Sequence, residues 1–400
     1  MLLLVLATAF LPISLETPIG FVSLVDIATF AYLIAAVFYV LTRRTIARSD
    51  IRVPILAFVT YLSVVLSQVA NAAWDVSVFI KYFVFLIVIP CSLLLTGLNM
   101  RSDALMKKMP RALAVAGALI SSIVIFQAAR GSAVSDGSAV YIELFGGLVN
   151  KNGMASILLY GVVSSAWLAV NGKRRYWILC IYQIAVTFYI GARSATLVAA
   201  VMVVSVALAV SPNRRSILLR IVGFGLAIAV AAITIVQSGM FADRVSRMAE
   251  LVHLDANELT AASSRLLLWN AAWEEFVRSP WIGHGNGTFS YSGGNWLDGM
   301  YEPHNSVLQV LYSGGVVGMF CFSGLIFFGF MKGDMRRKKL CLLLLAAYLL
   351  NSMVGIIWIR GDGHLFWLIF FLMAIAPAGD RHVRDIKPAN SHAFRVSPTF

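Results

Sequence analysis

The chain has 400 residues, of which 60% are hydrophobic and only 13% are charged, and its formal net charge is +13. So few charged residues cannot cover a soluble domain of this length, and the mean hydropathy of +0.82 is typical of a polytopic membrane protein. Apolar runs of about 17 to 25 residues, each long enough to cross the ~30 Å hydrocarbon core as a helix, recur along the sequence. The alternating pattern of a membrane β-barrel is missing from it.

These runs predict an all-α, polytopic integral membrane domain, residues 1–400, with about twelve spanning helices. The first run has no basic residue before it, so we expect an uncleaved helix rather than a signal peptide. Residues 379–400 are expected to form a cytoplasmic tail. The predicted spans are residues 1–15, 21–42, 54–71, 79–97, 112–129, 154–171, 176–191, 194–211, 216–238, 305–331, 340–358 and 363–378.

Lysine and arginine residues are concentrated in alternate loops and in the tail, which together hold 23 of the 32 basic residues. By the positive-inside rule these segments are cytoplasmic, and both termini lie on that side. Because the charges are spread over six separate segments, they indicate topology rather than nucleic-acid binding. The longest polar interval, residues 239–305, is then an external loop that we expect to carry much of the active site.

Nine basic residues fall outside those segments, and topology does not explain them. A charged side chain near bilayer depth costs about 2.5 to 3.5 kcal/mol on insertion scales. We therefore expect several of the nine to meet an anion. They are Lys81, Arg130, Lys151, Arg193, Arg244, Arg247, Arg265, Arg278 and Arg360.

Two of these residues stand where helices are predicted to begin on the external side. Arg193 lies at a tight turn between two apolar spans, where its planar guanidinium suits a phosphate better than a lysine would. An interfacial anchor that snorkels to water is the alternative. Lys151 and Asn152 follow a glycine-rich external loop, residues 131–147, and begin a helix whose N-terminus either binds an anion or is simply capped.

Apolar residues recur at helical spacing from Ser263 to Phe276 and predict a helix on the outer membrane surface. We expect Ser264 to cap it and Arg265 to lie in its first turn, near the positive end of the helix dipole, where an anion is favoured. An Arg with no special role is the alternative. The side chains expected to enter the membrane interface are Leu266, Trp269, Trp273 and Phe276.

Three glycines in five residues surround His284 and require positive φ or close backbone approach. His284 is a candidate for a substrate contact, although a histidine in such a turn usually bonds local backbone. Pro303 predicts a helix start, which puts His304 beside a positive helix terminus. That field keeps the imidazole neutral, as a general base must be. Capping or packing is the alternative role for His304.

Cysteine spacing and short motifs give no sign of a cofactor. The sequence contains no Walker loop, GxGxxG, HExxH or Asp-x-Asp pattern. We therefore expect neither a nucleotide cofactor nor a metal. The cysteines lie in or beside apolar spans, where packing explains them; they are Cys91, Cys180, Cys321 and Cys341.

Five motifs, in this order along residues 20–375, resemble those of the O-antigen ligase and O-antigen polymerase superfamily of bacterial membrane glycosyltransferases. The resemblance implies a GT-C type fold in the inner membrane. It also implies that a glycan is transferred from undecaprenyl diphosphate to an acceptor at the periplasmic face, without a metal. The motifs are Gly-Leu-Val-Asn-Lys-Asn-Gly (147–153), Gly-Ala-Arg-Ser (191–194), Ser-Arg-x-x-x-Trp (264–269), Pro-Trp-Ile-Gly-His-Gly-Asn-Gly-Thr-Phe (280–289) and Pro-His-Asn-Ser-x-Leu-Gln-x-x-x-x-x-Gly (303–315).

The resemblance also implies roles for individual residues. Arg193 and Arg265 would bind the diphosphate and offset the charge that develops as the anomeric C–O bond breaks. His304 would accept the proton of the acceptor hydroxyl, which gives inversion at the anomeric carbon. Glu302 is a candidate to orient the imidazole, and the residues expected to contact substrate are Lys151, Asn152, Asn305, His284 and Glu302.

Within the superfamily we favour an O-antigen ligase, whose acceptor is the lipid A core, because polymerases often have two large external loops and this chain has one. A polymerase that uses a lipid-linked repeat unit as acceptor is the alternative. Relatives that glycosylate protein Ser or Thr usually carry a soluble tail, and only residues 379–400 follow the last span. A transporter or flippase of lipid-linked sugars is a more distant alternative, since the sequence shows no internal repeat.

Overall fold

The computed structural model describes residues 14–17, 20–43, 51–72, 76–95, 102–130, 133–135, 140–144, 147–190, 192–210, 259–285, 289–291, 299–301, 303–331, 335–353 and 363–375. Helices dominate this part of the chain, as the composition predicts. They are α1 (Leu24–Arg43), α2 (Arg52–Ala70), α3 (Val76–Phe83), a π-helical turn (Val84–Val88), α4 (Ile89–Leu95), α5 (Ser102–Ala129), α6 (Lys151–Val170), α7 (Tyr176–Tyr189), α8 (Arg193–Val210), α9 (Leu259–Arg278), α10 (Ser306–Met331), α11 (Met335–Ser352) and α12 (Gly363–Ile375).

The described residues contain three small antiparallel sheets, one before α1 and two between helices. The first pairs β1 (Ser14–Thr17) with β2 (Gly20–Ser23), and the second has the order β3 (Ala133–Ser135), β4 (Val140–Leu144), β5 (Gly147–Asn150). The third pairs β6 (Phe289–Tyr291) with β7 (Gly299–Tyr301). The β5 strand runs directly into α6, so the second sheet fixes where that helix begins.

The predicted spans from 21–42 to 194–211, and from 305–331 to 363–378, each coincide with a helix or a pair of helices. The span 216–238 and most of the span 1–15 lie outside the described residues. Within the described residues, four helical segments are long and apolar enough to cross a membrane: Arg52–Ala70, Lys107–Ala129, Gly153–Val170 and Ser306–Met331. Shorter apolar helices accompany them. The count of twelve spans stays a prediction.

The ends of the first two spans, which the sequence predicts only to within a few residues, lie in a pair of strands. Strand β1 pairs Ser14 with Ser23 and Thr17 with Gly20, so residues 14–15 and 21–23 belong to a hairpin. The physical reason lies in the sequence between the two apolar runs. Pro18 has no amide hydrogen for a helix to use, and Gly20 is a weak helix former.

Helix α6 forms the centre of the bundle and is almost wholly buried, packed against α5, α7, α8 and α11. Glycines bring α5 and α6 together, because a Cβ added to Gly117 would lie 2.9 Å from the Gly161 Cα. A buried Gln183 ties α7 to the same place by donating to the Ala114 carbonyl (2.8 Å). Small and polar side chains thus replace hydrophobic burial as the cause of tight helix packing here.

Side-chain contacts show which helix termini lie at the same end of the bundle. Tyr348, near the end of α11, stacks on Phe366, near the start of α12, with centroids 4.6 Å apart. Asn351 donates to the Ser156 hydroxyl in the second turn of α6 (2.8 Å). Helix α11 therefore runs antiparallel to both α6 and α12.

Helices α10 and α12 run parallel, since Phe322 contacts Trp367 and, further along both helices, Gly329 packs on Phe370. Helices α6, α7 and α8 follow one another through short turns, so α6 and α8 begin at the same end. We call the end of the bundle where α6, α8, α10 and α12 begin the outer end. Its exposure to the periplasm stays a prediction.

Candidate active site

Helix α10 is broken near its outer end at Gly315, whose φ of 63° and ψ of −161° lie in a region that essentially only glycine occupies. The break leaves helical backbone groups in need of other partners, because a buried amide or carbonyl must be bonded. A turn made of residues 279–285, which we call the glycine turn, supplies those partners. The four groups concerned are the carbonyls of Tyr312 and Ser313 and the amides of Val316 and Val317.

Two hydrogen bonds run from α10 to the glycine turn. The amide of Val316 donates to the Pro280 carbonyl over 2.8 Å. The amide of Val317 donates to the Trp281 carbonyl over 3.1 Å. These are the amides that would bond the carbonyls of residues 312 and 313 in an unbroken helix.

Two further hydrogen bonds run in the opposite direction. The amide of His284 donates to the Tyr312 carbonyl (2.8 Å), and the amide of Gly285 donates to the Ser313 carbonyl (2.9 Å). The glycine turn and the broken helix therefore satisfy each other's backbone hydrogen bonds, and each conformation depends on the other. The turn fixes the direction of the first part of α10, where His304 is attached.

Both glycines of the turn are required by space as well as by positive φ. A Cβ on Gly283 (φ 65°) would lie 2.6 Å from the Gly315 nitrogen, and one on Gly285 (φ 78°) would lie 2.7 Å from the Gln68 Cα. Both contacts would be with backbone atoms, which, unlike the end of a flexible side chain, cannot move aside to make room for the Cβ. The prediction that these glycines require positive φ or close backbone approach is confirmed at Gly283 and Gly285, where both hold.

The end of α2 holds the turn and the break together. The buried Ser67 hydroxyl donates to the Ser313 carbonyl (2.6 Å), and Asn71 donates through Nδ2 to the Gly283 carbonyl (2.9 Å). Sequence reasoning missed both residues as parts of the site. The available signal was weak: two polar side chains in the last turn of an apolar span, far away along the chain.

His284 lies inside this framework. Its ring stacks on Tyr312 with centroids 5.1 Å apart and an interplanar angle of 17°, and Nε2 lies 2.6 Å from the Glu275 carbonyl oxygen. The ring thus bridges α9 and α10. A substrate contact by His284 stays a prediction, while the observed contacts give this residue a packing role.

His304 and Asn305 lie immediately before α10. The backbone of His304 has φ 51°, a left-handed conformation that is uncommon for a residue with a Cβ. The Asn305 Oδ1 accepts hydrogen bonds from the amides of Val307 (3.0 Å) and Leu308 (3.2 Å), which makes Asn305 the N-cap. The prediction that Pro303 is the first helical residue is wrong, because the cap follows it and His304 is not helical.

Helix α9 packs its buried face, formed by Leu268 and Ala272, against Tyr312 of α10. Phe276 is 9% exposed, so this ring is covered by protein, contrary to the prediction that it enters the membrane interface. Trp273 is 51% exposed, as that prediction requires. The predicted helix is therefore present, with one edge of its apolar stripe facing the bundle. Its place on the outer membrane surface stays a prediction.

Arg265 stands in α9, as predicted, but not in the first turn. The helix begins at Leu259, so Ser264 is a helical residue and not the cap. Two strong helix formers, Ala261 and Ala262, extend the helix toward the N-terminus. Since dipole effects fade within one turn, the predicted help of the helix dipole at Arg265 is lost.

The two basic residues at predicted helix starts are found at helix starts. Helix α6 begins at Lys151 and α8 begins at Arg193, both at the outer end. The tight turn before Arg193 is also present, since α7 ends at Tyr189. The side chains of Lys151, Asn152, Arg193 and Arg265, and all of Glu302, lie outside the described residues.

The arrangement places several anion-seeking features at one end of the bundle. Two helix N-termini carry Lys151 and Arg193, and exposed amides at such termini favour anions. Helix α9, which carries Arg265, lies against the helix headed by His304. Helix termini of this kind can bind an anionic group such as a phosphate.

Residues 178–323 match a family model described as O-antigen ligase. This interval, a little over a third of the chain, is similar to the O-antigen ligase family. The matched interval runs from α7 into α10, so it includes Arg193, Arg265, the glycine turn and His304, whereas Lys151 and Asn152 precede it. No curated protein and no solved structure is matched. The match and the apolar helices together indicate a multi-pass membrane protein similar to glycosyltransferases of the ligase and polymerase type.

Proposed function

We propose that the protein is an O-antigen ligase of the bacterial inner membrane. It transfers a glycan from undecaprenyl diphosphate to the lipid A core oligosaccharide at the periplasmic face. The observation that carries this proposal is the ligase family match over the interval that contains Arg193, Arg265 and His304. The held conformation of His304 at the outer end of α10 supports it, because residues in sparsely populated backbone regions cluster at active sites.

In the proposed reaction, the acceptor hydroxyl oxygen attacks the anomeric carbon of the lipid-linked glycan. The bond from that carbon to the phosphate oxygen breaks, and undecaprenyl diphosphate leaves. His304 accepts the hydroxyl proton, and a single displacement inverts the anomeric configuration. The glycine turn and Asn305 keep His304 at the start of α10 while this happens.

Arg193 and Arg265 offset the growing charge on the departing diphosphate. A guanidinium offers two parallel N–H donors to phosphate oxygens, which makes the contact directional as well as electrostatic. With this charge stabilisation from two side chains, the proposed step includes no metal. Lys151 and Asn152, at the start of α6, line the donor side of the same site, and Glu302 orients the imidazole.

The identity of the acceptor separates a ligase from a polymerase. Purified protein is supplied with a lipid-linked glycan together with lipid A core, and then with the lipid-linked glycan alone. We expect a glycan joined to the core only in the first mixture. Longer lipid-linked chains in the second mixture would instead identify a polymerase.

The same mixtures, prepared with protein in sealed vesicles, test the transporter alternative. A transporter moves the lipid-linked sugar across the bilayer and leaves no new covalent product. We expect a covalent product without a requirement for a membrane gradient. Translocation without product in wild-type protein would overturn the proposed function.

A further inference from the structure

Three titratable side chains from three helices meet inside the bundle near its outer end. The Asp26 carboxylate contacts the Lys81 ammonium through Oδ2, and its Oδ1 lies 2.8 Å from His364 Nε2. Asp26 stands in the first turn of α1, Lys81 in α3 and His364 at the start of α12. We call these three residues the ion cluster.

The ion cluster is buried: His364 is fully enclosed, Asp26 is 2% exposed and Lys81 is 8% exposed. Burying charges is costly unless they are paired, so a cluster of this kind in an apolar bundle needs a compensating role. The Asp26 carboxylate and the Lys81 ammonium balance one another's charge. Loss of one charged partner would leave the other uncompensated in the protein interior.

The chain next to the cluster departs from regular helix. A π-helical turn, Val84–Val88, follows α3, and such turns are frequent at functional sites. Phe85 in that turn contacts the His364 ring edge to face, with centroids 4.7 Å apart. The cluster and the π-helical turn therefore act on the position of α12 together.

Aromatic contacts join the ion cluster to the broken helix α10. Tyr82, the neighbour of Lys81, packs on Phe322 of α10 with centroids 5.8 Å apart. Phe322 in turn contacts Trp367, one turn beyond His364 on α12 (6.2 Å). Helix α10 is thus held from two sides by elements that the cluster fixes.

We propose that Asp26, Lys81 and His364 form a positioning cluster for the active site. The balanced charges fix the depth and rotation of α3 and α12, and these two helices set the position of α10 and, through it, of His304. Lys81 is then a positioning residue that touches Asp26 rather than the substrate. The expected effect of the cluster on glycan transfer rests on the proposed function. The expected effect of the cluster on the stability of the fold does not.

The test is a charge-balance rescue with the variants Asp26→Asn, Lys81→Met and the double variant Asp26→Asn/Lys81→Met. Each single variant leaves one buried charge unpaired, so we expect a lower melting temperature in detergent and at least a roughly tenfold loss of transfer rate per folded molecule. The double variant removes both charges. We expect it to recover both properties to within about threefold of wild type.

Arg278→Met is the matched control, because Arg278 pairs with Glu275 on the exposed face of α9. Removing this surface cation should leave the melting temperature and the rate close to wild type. Recovery of the melting temperature without recovery of transfer in the double variant would show that Lys81 serves the substrate directly. That outcome would overturn the positioning role.

Failure of the proposed function gives a different result. If wild-type protein makes no glycan product, the melting temperatures of the two single variants and the double variant still measure the coupling between Asp26 and Lys81 without any substrate. If the losses of melting temperature in the two single variants simply add in the double variant, the proposed charge pairing is overturned, whether or not transfer occurs.

Discussion

Gly283 and Gly315 meet backbone to backbone, and a Cβ on Gly283 would lie 2.6 Å from the Gly315 nitrogen. This contact joins the glycine turn, which follows α9, to the break in α10. It explains why two glycine-containing motifs that lie some distance apart along the chain belong to one site. The part of α10 between His304 and the break is bonded to the glycine turn through the carbonyls of Tyr312 and Ser313.

Gly315→Ala should destabilise the protein strongly. An alanine at φ 63° is strained by about 1 to 3 kcal/mol, and its Cβ would lie 2.6 Å from the Gly283 nitrogen as well. Gly314→Ala is the control, since a Cβ there meets nothing within 4 Å. Melting curves in detergent compare the two variants. Equal melting temperatures in the two variants would contradict the close packing of Gly315 against the glycine turn.

His304→Asn separates the backbone role of this position from its chemical role. Asparagine tolerates the left-handed conformation that His304 adopts, so we expect a wild-type melting temperature. It lacks a basic imidazole, so the transfer rate should fall by about 10² to 10⁴. Donor binding should survive. A variant with substantial transfer activity would exclude His304 as the general base.

Asn305 is expected to act as a helix cap. Asn305→Ala removes the acceptor of two amide hydrogen bonds and should cost about 0.5 to 2 kcal/mol of stability. Asn305→Ser keeps a capping oxygen and should restore both stability and transfer. If the serine variant is stable but inactive, the Asn305 side chain contacts substrate instead.

Arg265→Lys keeps the charge and removes the planar fork, so donor affinity should fall by at least about tenfold. The control is Arg278→Lys on the same helix, where the side chain is exposed and pairs with Glu275. Binding of undecaprenyl diphosphate to purified protein measures both variants. Identical affinities in the two variants would remove Arg265 from the phosphate site.

The sequence predicted those parts of the fold that depend on local patterns. Helical spacing located α9, and hydropathy located the helices that coincide with the predicted spans. The start of α9 was misplaced because Ser264 has the chemistry of a cap, while Ala261 and Ala262 extend the helix past it. Local capping signals compete with helix propensity, and sequence alone does not decide between them.

The partners of each motif could not be predicted from the sequence. The glycine turn was expected to lie against a backbone, but nothing in its residues identified Gly315, Ser67 or Asn71. The ion cluster was missed for the same reason. Lys81 was recognised as a basic residue that topology does not explain, whereas Asp26 and His364 belong to distant spans. Pairings of this kind depend on how the helices pack together, and helix packing produces no periodic pattern in the sequence that would identify the partners.

The most direct test of the account is a structure of the purified protein with undecaprenyl diphosphate bound. We predict diphosphate oxygens within about 3 Å of the guanidinium groups of Arg193 and Arg265, with the His304 imidazole facing the same cavity. The proposed function would be contradicted if the structure showed Arg193, Arg265 and His304 in separate places. A diphosphate bound away from the outer end would contradict it as well.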